Sequence, residues 1–218
     1  IEERKKLYLE VIEDSNQLLK QDGLKPAGTI DTLQLLSEVY NKAGQLHAHL
    51  QNLKVAKEYL DKSIEIKSKP EINDKKGICM AHTTLGKICE ATENLDGALN
   101  HYHKNLGISK NNGDKDGICL SMSNIGSVHN QLAEYSKDPD EKINNLEQAE
   151  EYYNESLLVA EGNNDGKSIL FALSGLLENF ILSESYEKCE EIFNKIEENQ
   201  EKIKNNAPQY AKKIESDS

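Results

Sequence analysis

The chain has 218 residues, 37% of them hydrophobic and 29% charged, and a formal net charge of −12. This length allows one domain or two small ones with a sizeable core. No stretch approaches the roughly 18 consecutive apolar residues of a membrane span, and no secretory hydrophobic region opens the chain. The chain starts at Ile1 without a methionine, which is typical of a fragment.

The negative charge is concentrated in one part of the sequence. Residues 141–218 carry 17 acidic and 8 basic side chains, whereas residues 1–140 carry 21 and 18. Such a chain repels phosphate, so direct binding to nucleic acid or to an anionic membrane surface is not expected. The acidic part has two open interpretations: a solvated surface, or a surface that docks a basic partner segment.

The first predicted element is a helix over residues 1–22, where apolar side chains recur at helical spacing. The sequence DGLKPAG follows, and we expect Gly23, Pro26 and Gly28 to break the helix there. Two further apolar-periodic segments follow between Thr29, a possible helix cap, and Pro70.

The middle of the chain contains nearly the same helix start twice. NDKKGICMAHTTLG, which ends at Gly86, returns as GDKDGICLSMSNIG, which ends at Gly126, with an offset of 40 residues and no gap. A second apolar-periodic segment, LDGALNHYHKNLGIS, lies between the copies, so each unit is a pair of helices. A fixed period of this length indicates a stacked repeat protein.

The residues inside this period carry a family resemblance. Gly86, Cys89, Ala98 and Tyr102 fall where the tetratricopeptide (TPR) pattern L-G-x-x-Y…A-x-x-x-F has small, large, small and aromatic side chains. The chain therefore resembles a TPR protein, which implies an all-α fold: a right-handed superhelical solenoid of about four helix-turn-helix repeats with flanking helices. The implied organisation is an N-terminal capping helix and linker (1–28), repeats at 29–70, 71–112, 113–162 and 163–205, and a C-terminal tail or cap (206–218).

Three repeats depart from the pattern. In the first, 16 residues separate Tyr40 from Ala56 where the family has about 9, which predicts a hairpin lengthened around GQLHAHLQN. In the third, a surplus near EYSKDPDEKINN predicts a loop or a short helical extension. In the fourth, Leu177 and Cys189 replace the small residues, so we expect a less close approach of its helices.

The resemblance implies that the first helices of the repeats line a concave groove that binds an extended or helical peptide. Asn124 is the strongest single prediction, because many TPR grooves use an asparagine at that place to bond the main chain of the ligand. Polar groups at the groove positions can bond a peptide backbone. Transferred by register, these positions are Gln34, Glu38, Asn41, Thr83, Thr84, Lys87, Glu90, Ser123, Asn124, Ser127, Asn130, Gln131, Ser174 and Glu178.

One family ligand is not expected. TPR domains that hold the acidic tails of heat-shock chaperones resemble each other in a carboxylate clamp that needs cations. The corresponding positions here are occupied by uncharged or acidic side chains, namely Gln34, Glu38, Leu120 and Asn124.

Cysteine and histidine side chains are the residues that a catalytic or metal-binding role would use. Cys79 and His82 lie one helical turn apart, and three other histidines, His101, His103 and His129, are possible ligands or bases. His101 and His103 point to different sides of a helix, and Cys79 and Cys119 are equivalent packing positions. We therefore predict no catalytic residue, no cofactor and no metal site, and keep a metal-dependent or catalytic role as the weakest alternative.

The predicted function is that of a non-enzymatic adaptor. It holds a partner protein by an extended peptide or a helix of that partner. If its edges also make contacts, the chain is part of a larger assembly. The cysteines lack a C-x-x-C pair, which is typical of reduced thiols in a cytoplasmic or nuclear protein.

The long repeat is similar to that of Pins/LGN-type adaptors. Residues 56–126 resemble the TPR subunit of the outer-dynein-arm docking complex, and residues 81–158 resemble Tonsoku-like repair adaptors. The alternatives are therefore a structural subunit of a cytoskeletal or ciliary assembly that uses its edges, and a nuclear repair adaptor.

Overall fold

The structure is a computed structural model that describes residues 1–20 and 26–216, with side chains for residues 1–20 and 27–201. These residues form nine α-helices and no strand, which confirms the predicted all-α helical-repeat class. No helix among them is long and apolar enough to cross a membrane. The helices are α1 (Glu2–Leu18), α2 (Pro26–His49), α3 (Leu53–Lys67), α4 (Lys75–Ala91), α5 (Leu95–Asn112), α6 (Lys115–Tyr135), α7 (Pro139–Gly162), α8 (Gly166–Leu182) and α9 (Tyr186–Ser216).

The duplicated sequence is a duplicated helix start. The Asp74 carboxylate accepts a hydrogen bond of 2.8 Å from the Gly77 N–H, and Asp114 accepts one of 3.1 Å from the Gly117 N–H. Each carboxylate satisfies a backbone donor that has no partner within the helix, so both are N-caps. The two near-copies therefore fold alike because the same residues begin both helices.

Residues 1–108 form one compact unit, unit 1, which holds α1 to α4 and most of α5. Helix α2 packs against α1 and α3, and α4 packs against both α3 and α2. A core cluster between these helices consists of Ala56, Leu60, Ala81, Leu85 and Ile88. Its apolar side chains supply the main stabilising contribution within the unit.

Residues 109–218 form the second compact unit, unit 2, with the end of α5 and helices α6 to α9. Helix α6 packs against α7 and α8, and α8 also packs against α7 and α9. Its core cluster consists of Cys119, Ala149, Tyr153, Ala160, Ile169, Leu173, Leu176, Phe180 and Ile192.

Glycines let the paired helices approach closely, as the repeat pattern predicts. A Cβ atom added to Gly86 would lie 2.6 Å from Cζ of Tyr102, and one added to Gly126 would lie 3.0 Å from Cζ of Tyr153. Both tyrosine side chains are buried. The two glycines therefore have equivalent surroundings, which confirms that the near-copies are equivalent repeats.

Two expectations for the first repeat are wrong. Helix α2 begins at Pro26, so Gly28 and Thr29 lie inside the helix and neither breaks nor caps it, while Gly23 lies outside the described residues. Proline is well suited to a first helical turn, because its missing N–H has no partner there.

The predicted lengthened hairpin of the first repeat is also absent. Only residues 50–52 separate α2 from α3, and a Cβ on Gly44 would lie 2.7 Å from Cγ of Leu60 and 3.1 Å from the Ala56 oxygen. Gly44 therefore takes the place that Gly86 has in the second repeat, and each glycine precedes the matching alanine by the same number of residues. The predicted alignment matched Tyr40 to the position of Cys89. The glycines match His47 to that position instead, seven residues later.

The remaining deviations resolve as helix. Residues 136–138 alone link α6 to α7, so the surplus of the third repeat extends both helices rather than forming a loop. In the fourth repeat, Leu177 occupies the position of Gly86, and Phe193 occupies that of Tyr102. The Phe193 side chain is 53% exposed. The less close approach expected there is consistent with this exposure. Helix α9 continues through Pro208 to Ser216.

Candidate functional site

In unit 1, helices α2 and α4 border two clefts on the predicted groove face. The first, here called the Asn41 cleft, has a volume of about 260 Å³. Its lining consists of Glu38, Asn41, Lys42, Gln45, Lys67, Asp74, Lys76, Gly77 and Met80. The second, here called the Lys87 cleft, has about 410 Å³ and is lined by Gln45, Ala48, His49, Gln51, Leu53, Thr84, Lys87, Ile88 and Ala91.

Asn41 is the most unusual polar residue of this face. Its side chain is only 7% exposed, and its buried Oδ1 accepts no hydrogen bond in the structure. A buried acceptor without a donor costs about 1–3 kcal/mol. An N–H group that came within hydrogen-bond distance of Oδ1 would remove this cost.

The other predicted groove residues of unit 1 divide into two groups. Glu38, Thr84 and Lys87 line the clefts, and Gln34 is exposed on α2 about one turn before Glu38. Thr83 and Glu90 are used inside the unit: Thr83 accepts a 2.8 Å hydrogen bond from Asn105 Nδ2, and Glu90 accepts the hydroxyl of Tyr102.

The sequence analysis missed several lining residues of unit 1, including Lys42, Gln45 and His49. The signal that would have found them is Gly44. Aligned on this glycine, the groove positions of α2 move toward its C-terminal end and include these side chains. Asn41 is a groove position in either alignment.

In unit 2, Asn124 on α6 repeats the behaviour of Asn41. It is 6% exposed, and its buried Nδ2 donates no hydrogen bond in the structure. An entering carbonyl oxygen would satisfy this donor. Its role in binding a ligand, which the resemblance implies, stays a prediction.

The other predicted residues of unit 2 differ in their surroundings. Ser123 and Ser156 share a 2.8 Å hydrogen bond, and Asn130 accepts a 2.9 Å bond from Asn179 while donating to the Gly175 oxygen at 3.4 Å. These two predicted residues are thus engaged with neighbouring helices. The remaining ones are partly or fully exposed: Ser127, Gln131, Ser174 and Glu178.

Apolar side chains at one repeat position were also missed. Met80, Leu120 and Phe171 each lie six residues before Gly86, Gly126 or Leu177, and all three are exposed. The sequence analysis looked for polar groove residues and passed over this position. Each unit thus presents an apolar side chain on the helix that also carries groove polar groups.

The histidines form a pair that the sequence did not predict. Nδ1 of His82 lies 3.1 Å from Nδ1 of His101, across α4 and α5. Burial, followed by the positive charges of His101 and Lys104, lowers the pKa of His82 to about 4. Burial likewise lowers the pKa of His101. Within the described part of the chain, no group of three or more histidine, cysteine or acidic side chains could hold a metal ion.

The predicted packing role of the cysteines is confirmed. Cys79 contacts the Asn105 oxygen at 3.9 Å, and Cys119 contacts the Ser156 oxygen at 3.6 Å, so both thiols point from one helix of a repeat to the other. Burial raises the pKa of Cys119, which disfavours the nucleophilic thiolate.

Comparison with known proteins supports a TPR-type repeat protein. Residues 37–70 match the family model described as tetratricopeptide repeat, a span that contains Gly44 and the hairpin of α2 and α3. No curated protein matches the chain. The resemblances to Pins/LGN-type, dynein-docking and Tonsoku-like proteins find no support in these comparisons.

Two solved structures share the fold. The apo form of RapI has a TM-score of 0.66 and 15% identity, with 91% of this chain and 72% of that chain covered. Aspartyl phosphate phosphatase F from Bacillus subtilis has a TM-score of 0.67 and 13% identity, with 90% of this chain and 50% of that chain covered. At these identities the likeness concerns the helical-repeat fold alone.

Proposed function

We propose that this chain is an adaptor that binds extended segments of partner proteins on the groove faces of its helical repeats. The observation that carries the proposal is the pair of buried asparagines, Asn41 and Asn124, whose amide atoms Oδ1 and Nδ2 have no partner in the structure. The TPR match and the shared helical-repeat fold support an interaction protein in general.

The chemistry of the two amides suits a peptide main chain. Asn41 offers an acceptor, which a peptide N–H satisfies, and Asn124 offers a donor, which a peptide C=O satisfies. An extended peptide exposes both groups at every residue, whereas a helix has used most of them internally. We therefore favour an extended segment over a helical one as the ligand of each unit.

Apolar groups beside the amides would add affinity. Met80 lines the Asn41 cleft, and Leu120 lies one helical turn before Asn124. Both are exposed, so a partner side chain that covers them would remove apolar surface from water. Main-chain bonding with apolar side-chain contact is a common mode of peptide recognition.

We propose a cytoplasmic location, with a nuclear one as the alternative. Cys79 and Cys119 are buried, and each thiol contacts a backbone oxygen of the neighbouring helix. Reduced cysteines are usual where glutathione and thioredoxin keep thiols reduced.

Edge contacts are a second candidate mode. Tyr135 at the end of α6 and Ile143 near the start of α7 are 61% and 55% exposed, at the hairpin that the third repeat lengthens. Large exposed apolar side chains are typical of docking sites. A structural subunit of a cytoskeletal or ciliary assembly would be a specific form of this mode.

The test is affinity capture from the native source with wild-type chain and variants, followed by measurement of the affinity for the recovered partner. We expect Asn41→Ala or Asn124→Ala to weaken binding by about 1–3 kcal/mol with a nearly unchanged melting temperature, since each removes one main-chain bond. The matched controls are Asn100→Ala on α5 and Asn154→Ala on α7, which are exposed and should bind as wild type.

The same capture separates the two modes. If both groove variants retain the partner while a Tyr135→Ser/Ile143→Ser double variant loses it, the partner docks at the hairpin edge and groove binding is rejected.

A further inference from the structure

We infer that the outer face of α8 and α9 binds a basic amphipathic helix of a partner protein, which stacks there like the first helix of a further repeat. This surface, here called the terminal face, consists of Ile181, Tyr186 and Phe193. It is a different surface from the groove, so the inference goes beyond the proposed function and does not depend on it.

The preceding repeat shows how such a face is covered. Asn130 of α6 and Leu146 and Tyr153 of α7 are buried, and α8 packs against both helices. Asn179 of α8 donates hydrogen bonds of 2.9 Å to Asn130 Oδ1 and to the Leu146 oxygen. A Cβ on Gly175 of α8 would clash with the ring of Tyr153, so the glycine is what allows this close approach. The first helix of the following repeat therefore buries these three positions.

The same three positions of the last repeat are exposed. They follow 51 residues later in the first helix and 40 residues later in the second, at Ile181, Tyr186 and Phe193. These side chains are 55%, 69% and 53% exposed, and α9 is the last helix of the residues that the structure describes. The end of a repeat array normally has a polar outer face. Three large apolar side chains in this place are typical of a surface that another molecule covers.

The first repeat of unit 1 has the same arrangement. Leu60 follows Gly44 by 16 residues, as Phe193 follows Leu177. Leu60 is fully buried, in a core cluster that includes Ala81 of the following helix α4. In each unit, this position is therefore buried where the first helix of the next repeat is present.

The charges beside the terminal face favour a basic partner. Around α9, the exposed Glu190 and Glu197 lie within about 60° of Phe193, whereas the lysines of its described side chains lie about 140° or more away. One of them, Lys188, turns toward α7, where its Nζ lies 3.0 Å from Glu150. A second copy stacked through the same face would bring like charges together, whereas lysine or arginine on a partner helix would complement them.

The shape of the covering helix follows from α8. In α8 a glycine receives the ring of Tyr153, and a residue four positions later meets Asn130. Phe193 and Ile181 take these two places in the last repeat. The partner helix should therefore have glycine or alanine opposite Phe193 and a large apolar residue one turn later, against Ile181.

The experiment measures the fluorescence anisotropy of labelled, lactam-bridged peptides whose helicity is matched by circular dichroism. The probe has a glycine and, four residues later, a leucine in its apolar stripe, with lysines on both flanks. A second peptide replaces the glycine with leucine. A third peptide replaces the lysines with glutamines.

We expect the chain to bind the probe about tenfold or more tightly than either altered peptide. The leucine excludes the ring of Phe193, and glutamine offers no charge to Glu190 and Glu197. The variant Ile181→Ser/Phe193→Ser should lose about tenfold or more in affinity for the probe, because less apolar surface is buried. The control Leu158→Ser removes a 71% exposed side chain from α7 and should lose less than about twofold.

A charge variant keeps the test independent of any folding defect. Glu190→Gln/Glu197→Gln leaves the apolar side chains in place and should lose about threefold in affinity for the probe. Its match, Glu151→Gln/Glu155→Gln, removes the same charge from exposed positions of α7 and should bind as wild type. Physiological ionic strength is used, since it screens exposed charges that lie more than about 8 Å apart.

The other outcomes overturn the inference. Failure of the wild-type chain to bind the probe rejects it directly, and tighter binding of the leucine peptide would show an unspecific apolar patch. Equal losses in Ile181→Ser/Phe193→Ser and Leu158→Ser would place the peptide elsewhere. Sedimentation of the chain alone gives its oligomeric state, and a dimer that Ile181→Ser/Phe193→Ser converts to a monomer would show that a second copy covers the face. Groove binding is tested with other variants, so it stands or fails separately.

Discussion

At the scale of single residues, two pairs of polar side chains carry the notable electrostatic features of the chain. Lys67 is a buried charge that is tolerated because Asp74 neutralises it. Removal of Asp74 would leave the buried ammonium group without a counter-charge, which is strongly destabilising. Although burial alone would raise it, hydrogen bonds from Lys67 and the Gly77 N–H hold the pKa of Asp74 below its usual range. The buried His82 and the half-buried His101 form a second pair, with their Nδ1 atoms 3.1 Å apart.

The histidine pair predicts a pH-dependent stability. In the folded chain the pKa of His82 is about 4 against an ordinary 6.5, so the unfolded chain takes up the proton first as the pH falls. The stabilisation is present above pH 6.5 and is lost as the pH falls toward 4, by about 1.4 kcal/mol per pH unit for each proton. Urea unfolding of wild-type and His82→Asn chains at pH 7, 6 and 5 gives the free energy of unfolding at each pH. We expect this free energy to fall more steeply with decreasing pH in the wild-type chain than in the variant.

The carboxylates titrate in both chains, so the comparison isolates the histidine. His49 is exposed, and a His49→Gln chain should keep the wild-type slope. Identical slopes for wild type and His82→Asn would contradict the prediction.

At the scale of elements, the unit of construction is a helix pair closed by a glycine and a large side chain. Gly86 accepts the ring of Tyr102, whereas Gly107 on the same helix as Tyr102 has no atom within 4 Å of an added Cβ. The same change at the two glycines should therefore have opposite effects on stability.

We expect Gly86→Ala to lower the free energy of unfolding by about 1–3 kcal/mol, because the added methyl group forces the ring of Tyr102 away from α4. Gly107→Ala should raise it by about 0.5–1 kcal/mol, because alanine loses less backbone entropy in a helix. Chemical denaturation of both variants checks the signs. A stabilised Gly86→Ala chain would show that the close approach does not constrain the hairpin.

At the scale of the whole molecule, the chain consists of two compact units with separate core clusters. In a repeat protein each element contacts its neighbours along the chain, so stability is distributed locally. A core defect in one unit should therefore be felt mainly within that unit.

Leu60→Ala in unit 1 and Leu173→Ala in unit 2 form a matched pair, since both leucines are fully buried. Each should cost about 2–5 kcal/mol within its own unit, through lost burial and the cavity left behind. Native-state hydrogen exchange should show the loss of amide protection in residues 1–108 for the first variant and in residues 109–201 for the second. Uniform loss across the chain in either variant would mean that the two units unfold together.

The sequence by itself determined the features that depend on neighbouring residues in the chain. The all-α class, the repeat of about 40 residues and the two capped helix starts at Asp74 and Asp114 follow from periodicity and from side chains that bond the backbone three residues away. The contact of Gly86 with Tyr102 was also predictable, because repeated packing leaves the same small and large residues at a fixed spacing.

Only the tertiary structure decided features that depend on residues far apart in sequence. The contact of Gly44 with Leu60 and the pairing of His82 with His101 each required two helices to meet. The unpartnered amides of Asn41 and Asn124 could not be deduced from residue type, because burial and hydrogen bonding arise from what the rest of the fold places around a side chain.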